Sequence, residues 1–221
     1  MGVQGNTLGA CYTVLGFKSI PFSITPDTAL AFPGDQYVRA YHQLHYACMN
    51  GALAVLSAEI GLGKTLVVRC LIRALPANVK VAYVLNPLLG GEALLREIYS
   101  EFNGGAAPPA GTDSNLNQML VQKILQGAGQ GHKHVVIVDE AHACVGTHKG
   151  KQQRFELLAG LARDPERRMI FLTATPHSGD EDAFGRLLSL IDPSFGTMNF
   201  DDARYRERLA RHVVQRQRID L

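Results

Sequence analysis

The sequence predicts an α/β fold, a three-layer α/β/α sandwich around a mainly parallel sheet. Three observations predict it. Short apolar runs that read as strands alternate with longer stretches whose apolar residues recur at helical spacing. Two of the runs, Val135-Val136-Ile137-Val138 and Met169-Ile170-Phe171-Leu172, are unbroken, the pattern of a parallel strand covered on both faces. A third run, Ala52-Leu53-Ala54-Val55-Leu56, leads through a glycine-bearing turn straight into a helical pattern. Such alternation implies right-handed crossovers and a ligand crevice at the carboxyl ends of the strands.

Taken in order, 1–15 carries little pattern and reads as an N-terminal extension, compatible with partial disorder. The stretch 17–27, with Pro21, Pro26, Phe17 and Phe22, reads as an extended, packed loop. Asp35 is placed to cap a helix running to about residue 50, with Val38, Tyr41, Leu44, His45 and Cys48 on one face. His42 and His45 lie three apart on it without an evident third ligand, and read as surface or packing histidines rather than a metal pair. A first core strand covers 53–57, and the helix beyond the glycine turn ends before Pro76. A second strand covers 79–85, closed by Asn86-Pro87, and a helix follows over about 92–102. The glycine- and proline-rich stretch 103–111 reads as a flexible surface loop. Asp113 or Ser114 is placed to cap the next helix, whose apolar residues are Leu116, Met119, Leu120, Ile124 and Leu125. Further helices are expected over 152–162 and 180–191. The core is read as 16–200, with 201–221 as a basic tail.

At 221 residues the chain is expected to form one domain. It is 46% hydrophobic and 19% charged, ordinary for a soluble globular protein, and its net charge of +2 gives no global attraction to nucleic acid or membrane. Cys11, Cys48, Cys70 and Cys144 show no metal-ligand spacing and read as free thiols in a reducing cytoplasm. No apolar run is long enough to span a bilayer, and the N-terminus lacks the shape of a secretory signal, so a cytoplasmic protein is expected.

The chemistry gathers at Ala58-Glu59-Ile60-Gly61-Leu62-Gly63-Lys64-Thr65, which reads as a phosphate-binding loop running into a helix at Leu66. Gly61 and Gly63 let successive N–H groups turn toward phosphate oxygens, and the helix N-terminus adds its partial positive charge. Lys64 would reach the β- and γ-phosphates of ATP, and the Thr65 hydroxyl would sit on Mg²⁺. The pattern ordinarily opens on glycine. Ala58, the smallest replacement, predicts a weakened loop rather than a broken one.

Downstream, four apolar residues end in Asp139-Glu140-Ala141-His142, the Walker B arrangement. Asp139 would hold Mg²⁺ directly or through water, and Glu140 would orient and activate the attacking water. The next strand ends in Thr173-Ala174-Thr175. In nucleotidases of this class that strand lies between the phosphate-loop strand and the Walker B strand, so Thr173 and Thr175 would face the γ-phosphate, with His142 as a third sensor. The same residues also read as a hydroxyl-rich strand-to-loop turn. Near the end, Arg204, Arg206, Arg208, Arg211, Arg216 and Arg218 stand against Glu207 and Asp220. That cluster reads equally as a contact for phosphate backbones and as a solvated face.

From about 16 to 139 the chain resembles the ExeA/MshM-type AAA+ ATPases of type II secretion and pilus assembly. Pro21-Phe22-Ser23-Ile24-Thr25-Pro26-Asp27, the loop at 59–65, and Val81-Ala82-Tyr83-Val84-Leu85-Asn86-Pro87 carry the likeness. From about 135 the text is similar to superfamily-two DEAH helicases of Swi/Snf type, notably the DrmD-type helicase of a phage-defence system. Here the carriers are Asp139-Glu140-Ala141-His142, Thr173-Ala174-Thr175-Pro176-His177 and the closing Ala210 to Arg218. Both resemblances imply a RecA/AAA+-like P-loop NTPase sheet.

The first resemblance implies an ATPase that drives an envelope assembly complex or works by self-association. The second implies the ATP-binding lobe of a DNA helicase or translocase. A non-hydrolysing, nucleotide-gated interaction module is the third expectation. No second lobe to supply an arginine finger is expected beyond Leu221, and loss of a finger costs ~10³-fold or more. Slow ATP hydrolysis is therefore expected for the isolated chain.

Overall fold

The structure is a computed structural model and describes residues 12, 14–16, 27–85, 87–88, 90–145, 149–163, 168–173, 181–197 and 199–216. Its elements run α1 (Asp35–Asn50), β1 (Leu53–Ala58), α2 (Lys64–Ala74), β2 (Val79–Val84), α3 (Gly91–Phe102), α4 (Leu116–Gly129) and β3 (Lys133–Val138). They continue with α5 (Lys149–Ala162), β4 (Met169–Thr173), α6 (Glu181–Ser189), α7 (Ala203–Ala210) and β5 (Val213–Arg216). The strands form one five-stranded sheet in the order β2-β3-β4-β1-β5, and each pairing is parallel. β4 lies between β1 and β3, as expected.

Side-chain alternation along the strands makes the three layers. Leu53 and Val55 of β1 face a core that also holds Leu94 and Ile98 of α3, Leu120 of α4, Leu158 of α5, Leu187 of α6 and Leu209 of α7. Ala54 and Leu56 face the other way, onto Ala40 and Leu44 of α1 and Val67, Val68 and Leu71 of α2. Leu44, Leu71, Ile98 and Phe171 are among the large side chains buried completely. Each such burial is worth about 1.5–3 kcal/mol. Packing on both faces holds the sheet rigid, so the loops at its carboxyl edge start from fixed points.

Several local expectations change. Gly34, not Asp35, is the N-cap of α1, and Asp35 lies inside the first turn, where its charge still favours the helix N-terminus. The buried stripe of α1 is Ala40, Leu44, Ala47 and Cys48, while Val38, Tyr41 and His45 are only partly covered. Asp113 and Ser114 form a short 3-10 turn, so Asn115 precedes α4, and Leu125 is exposed. Within the described part of the segment read as a basic tail, 201–216, α7 places Tyr205 and Leu209 in the core and β5 pairs with β1. Residues 17–26, 86 and 174–180 lie outside the described residues.

Cys48, Cys70 and Cys144 are free thiols. Burial pushes Cys48 up to about 12 and Cys144 up to about 11, so both stay protonated at neutral pH. Among the described residues no helix is long and apolar enough to cross a membrane.

Candidate functional site

β1 ends at Ala58, and the chain turns through 59–63 into α2. Gly61 has φ 88° and Gly63 φ 78°. A Cβ at Gly61 would meet nothing within 4 Å, and one at Gly63 would come no nearer than 3.9 Å to Leu66. The backbone angle, not lack of room, is what demands glycine there. Gly63 is the N-cap of α2 and no side chain caps that terminus, so the first-turn N–H groups have no side-chain acceptor. That is the electrostatic setting an anion fits.

Ala58 is buried in extended backbone at the strand end, so nothing in its conformation requires glycine. Lys64 folds back over the loop. Its Nζ donates to the Ala58 carbonyl at 2.7 Å and lies 3.5 Å from that of Glu59, leaving the residue 8% exposed. Ile60 projects into solvent from the crest of the loop. Thr65 and Leu66 follow in the first turn of α2.

The second half of the site is the turn after β3. Asp139 is buried and held from two sides. Tyr83 of β2 donates its hydroxyl to Oδ2 at 2.9 Å, and the Glu140 N–H donates to Oδ1 at 2.9 Å. Burial, and then the neighbouring Asp139 carboxylate, push the Tyr83 hydroxyl well above the usual phenol range, so it stays a donor. Glu140 itself has φ 47°, ψ 43°, and is the one non-glycine residue with positive φ among those described. Left-handed backbone costs such a residue roughly 1–2 kcal/mol. Its Oε2 lies 3.3 Å from His142 Nδ1, and Thr173 Oγ1 lies 3.5 Å from the same nitrogen. Thr173 is buried at the end of β4, paired in register with Ser57, one residue before Ala58. Glu140, His142 and Thr173 are thus brought together. Thr175 lies outside the described residues.

The sheet order relates the two halves. β4 separates β1 from β3, so the loop and the acid pair stand two strand spacings apart, about 10 Å. All these groups sit at carboxyl ends of parallel strands, the position of ligand crevices in open α/β sheets. Thr65 offers a hydroxyl and Asp139 a carboxylate, hard oxygen donors of the kind Mg²⁺ takes. Among the described residues no group of three His, Cys, Asp or Glu could hold a metal on its own. Two protein ligands completed by phosphates and water is the usual arrangement for Mg²⁺. His42 and His45 each pack against the Tyr41 ring, as the sequence suggested.

The C-terminal arginines do not form one free face. Arg206 donates to the Phe200 carbonyl, Arg208 pairs with Asp192 at 2.9 Å and lies over the Phe195 ring, and Arg211 pairs with Glu207 at 3.1 Å. Hydrogen bonds from Ser194, with Arg208 beside them, hold Asp192 below the usual carboxylate range. Arg216 is buried and donates to the Leu62 carbonyl in the glycine loop. Arg218 lies outside the described residues. Tyr83 and Arg216 are the contacts at the site that sequence reasoning missed. Both join residues far apart in the chain, and no local pattern announces either.

A model of the AAA domain matches residues 48–181, a stretch that contains the loop, the acid pair and Thr173. The chain belongs to the AAA domain family. It is thus a P-loop protein of AAA+ type, as the first resemblance implied. General secretion pathway protein A of Aeromonas hydrophila is 32% identical over 153 residues, covering 69% of this AAA domain chain and 27% of that protein. The Cdc6p structure from Pyrobaculum aerophilum shares the fold at a TM-score of 0.52 and 15% identity, over 87% of this chain and 50% of that one. The chain therefore spans about a quarter of the curated relative and half of the structural one. Neither the family match nor these relatives support the helicase likeness of 135–221.

Proposed function

We propose that this AAA domain binds ATP with Mg²⁺ and hydrolyses it, and that turnover drives a partner complex. One observation carries the reading. The glycine loop and the Asp139–Glu140 turn flank β4 at the carboxyl edge of an all-parallel sheet.

In this reading the loop amides of 59–65 and the Lys64 ammonium hold the phosphates. Lys64 exchanges the Ala58 carbonyl for phosphate oxygens when nucleotide enters. Thr65 and Asp139 would hold Mg²⁺, which would neutralise phosphate charge when bound. Tyr83 keeps the Asp139 carboxylate turned toward that position. Glu140 orients the attacking water, and its left-handed backbone aims the carboxylate. Thr173 and Thr175 read the γ-phosphate, and His142 links Glu140 to Thr173.

The preference for ATP over other nucleotides rests on family likeness. So does the partner: the name of the Aeromonas relative points to a secretion assembly, and self-association is the other route to an arginine finger. We place the chain in the cytoplasm, where its free thiols would persist. The helicase-lobe reading has less to rest on, since Arg206, Arg208 and Arg211 are already bonded within the chain.

An ATP-binding titration of wild type and Lys64→Ala, with and without Mg²⁺, tests the assignment. Binding that tightens with Mg²⁺ and collapses in Lys64→Ala is expected. Unchanged affinity in Lys64→Ala would remove the phosphate-site reading altogether.

A further inference from the structure

Arg216 closes the edge strand β5. In register it stands opposite Ala58, the residue at which β1 gives way to the glycine loop. It is 9% exposed, and its Nη1 donates to the Leu62 carbonyl at 2.8 Å. Leu62 lies between Gly61 and Gly63, the two residues with left-handed backbone and therefore the freest part of the loop. Within the loop, Leu62 is otherwise tied by a long backbone bond of 3.3 Å, from its own N–H to the Glu59 carbonyl. A loop that points its N–H groups inward turns its carbonyls outward. Arg216 takes one of the loop's carbonyls, that of Leu62.

The loop is thus tied by two cations with different fates. Lys64 holds the Ala58 carbonyl from the side a phosphate would occupy, and must let go when one arrives. Arg216 holds the Leu62 carbonyl from the edge strand β5, and on this reading keeps it when phosphate binds. We propose that Arg216 is a positioning residue: by fixing the Leu62 carbonyl it sets the Leu62–Gly63 peptide plane, and with it the direction in which the Gly63 N–H is offered to a phosphate. The same bond couples occupancy of the loop to the edge strand β5. Coupling of this kind is reciprocal, so nucleotide must also steady β5. The inference rests on reading the loop as a phosphate site.

The test uses the full chain as wild type, Arg216→Gln, Arg216→Lys and Lys64→Ala. A fluorescent ATP analogue and ADP are titrated, and backbone hydrogen exchange is followed by segment. Arg216→Gln is expected to weaken both nucleotides about tenfold, the scale of one charge-assisted hydrogen bond. Arg216→Lys recovers part of that, since a lysine supplies a charge without the planar fork. Exchange should quicken at 60–63 in Arg216→Gln while the amides of β1 and β4 stay protected. ATP should slow exchange at Val213–Arg216 in wild type but not in Arg216→Gln.

Affinity within twofold of wild type in Arg216→Gln, with binding lost in Lys64→Ala, overturns the inference and leaves the site reading standing. No change in either variant overturns the site reading and the inference with it. If Arg216→Gln also loses protection along β1 and β4, Arg216→Lys decides: wild-type protection with weakened binding supports positioning, and wild-type protection with wild-type binding overturns it.

Discussion

Two turns meet at the carboxyl edge of this sheet, and they solve the same problem in opposite ways. The loop after β1 reaches left-handed backbone at Gly61 and Gly63, where it costs little. The turn after β3 reaches it at Glu140, φ 47°, where a side chain makes it costly. The first turn takes glycine at its two left-handed positions, which leaves its backbone amides free of side chains there. In the function proposed, the second would need one carboxylate aimed at one place and would accept strain to aim it. A glycine there would relax the backbone and, on that proposal, remove the chemistry.

The largest expected effect comes from importing strain into the first turn. Gly63→Ala places a Cβ at φ 78°, at a cost of about 1–2 kcal/mol, with open space around it. ATP affinity should fall about tenfold while far-ultraviolet circular dichroism stays unchanged. Affinity equal to wild type would mean the loop geometry is not what binds nucleotide.

Removing strain from the second turn should do the reverse. Asparagine tolerates left-handed backbone, so Glu140→Asn is expected to raise the thermal midpoint by about 2–4 °C, the response of a chain this size to about 1 kcal/mol. Hydrolysis should be lost at the same time. A lower midpoint in a calorimetric scan would show that Glu140 is not strained.

A smaller effect sharpens the comparison by touching the support of the acid pair. Tyr83→Phe removes the donor on Asp139 Oδ2 without altering the phosphate loop. The Mg²⁺ concentration for half-maximal turnover should rise about fivefold, the scale of one lost hydrogen bond, with Mg²⁺-free nucleotide affinity unchanged. Equal loss in both would place Tyr83 in general packing rather than in orienting Asp139.

The smallest effect lies toward the other end of β3 and should leave both turns alone. Burial lowers the His134 pKa, and His132, Lys123, Lys80 and Arg168 lower it further. Its folded value therefore sits below the unfolded value of about 6.5. The neutral ring stabilises the fold above that value, and the contribution is lost as pH falls through the folded one. His134→Gln should flatten the acid limb of a stability profile between about pH 7 and 5, with ATP affinity at pH 8 unchanged.

The strands that position the site were legible because β1, β3 and β4 each contain an unbroken apolar run beside a helical period, and only Lys80 interrupts the apolar run of β2. The loop and the acid pair were legible because their spacing along the chain is their geometry. β5 was not: Val213-Val214-Gln215-Arg216 is short, half polar and lies on the edge of the sheet, so composition made it look like a tail. The bonds from Tyr83 to Asp139 and from Arg216 to Leu62 close across 56 and 154 residues, and only the sheet order brings the partners together. Ala58 looked like a defect because the motif names a residue type. Its backbone is extended, a conformation that does not call for glycine.

Steady-state ATP hydrolysis by wild type and Glu140→Gln, each with and without DNA, tests the central claim most directly. The account predicts slow turnover by wild type, at least about a hundredfold less in Glu140→Gln, and equal ATP affinity in the two. It predicts no stimulation by DNA, since Arg206, Arg208, Arg211 and Arg216 are already bonded within the chain. Equal turnover in both proteins would contradict the role given to Glu140, and equal inactivity with tight ATP binding would make the chain a nucleotide-gated module rather than an ATPase.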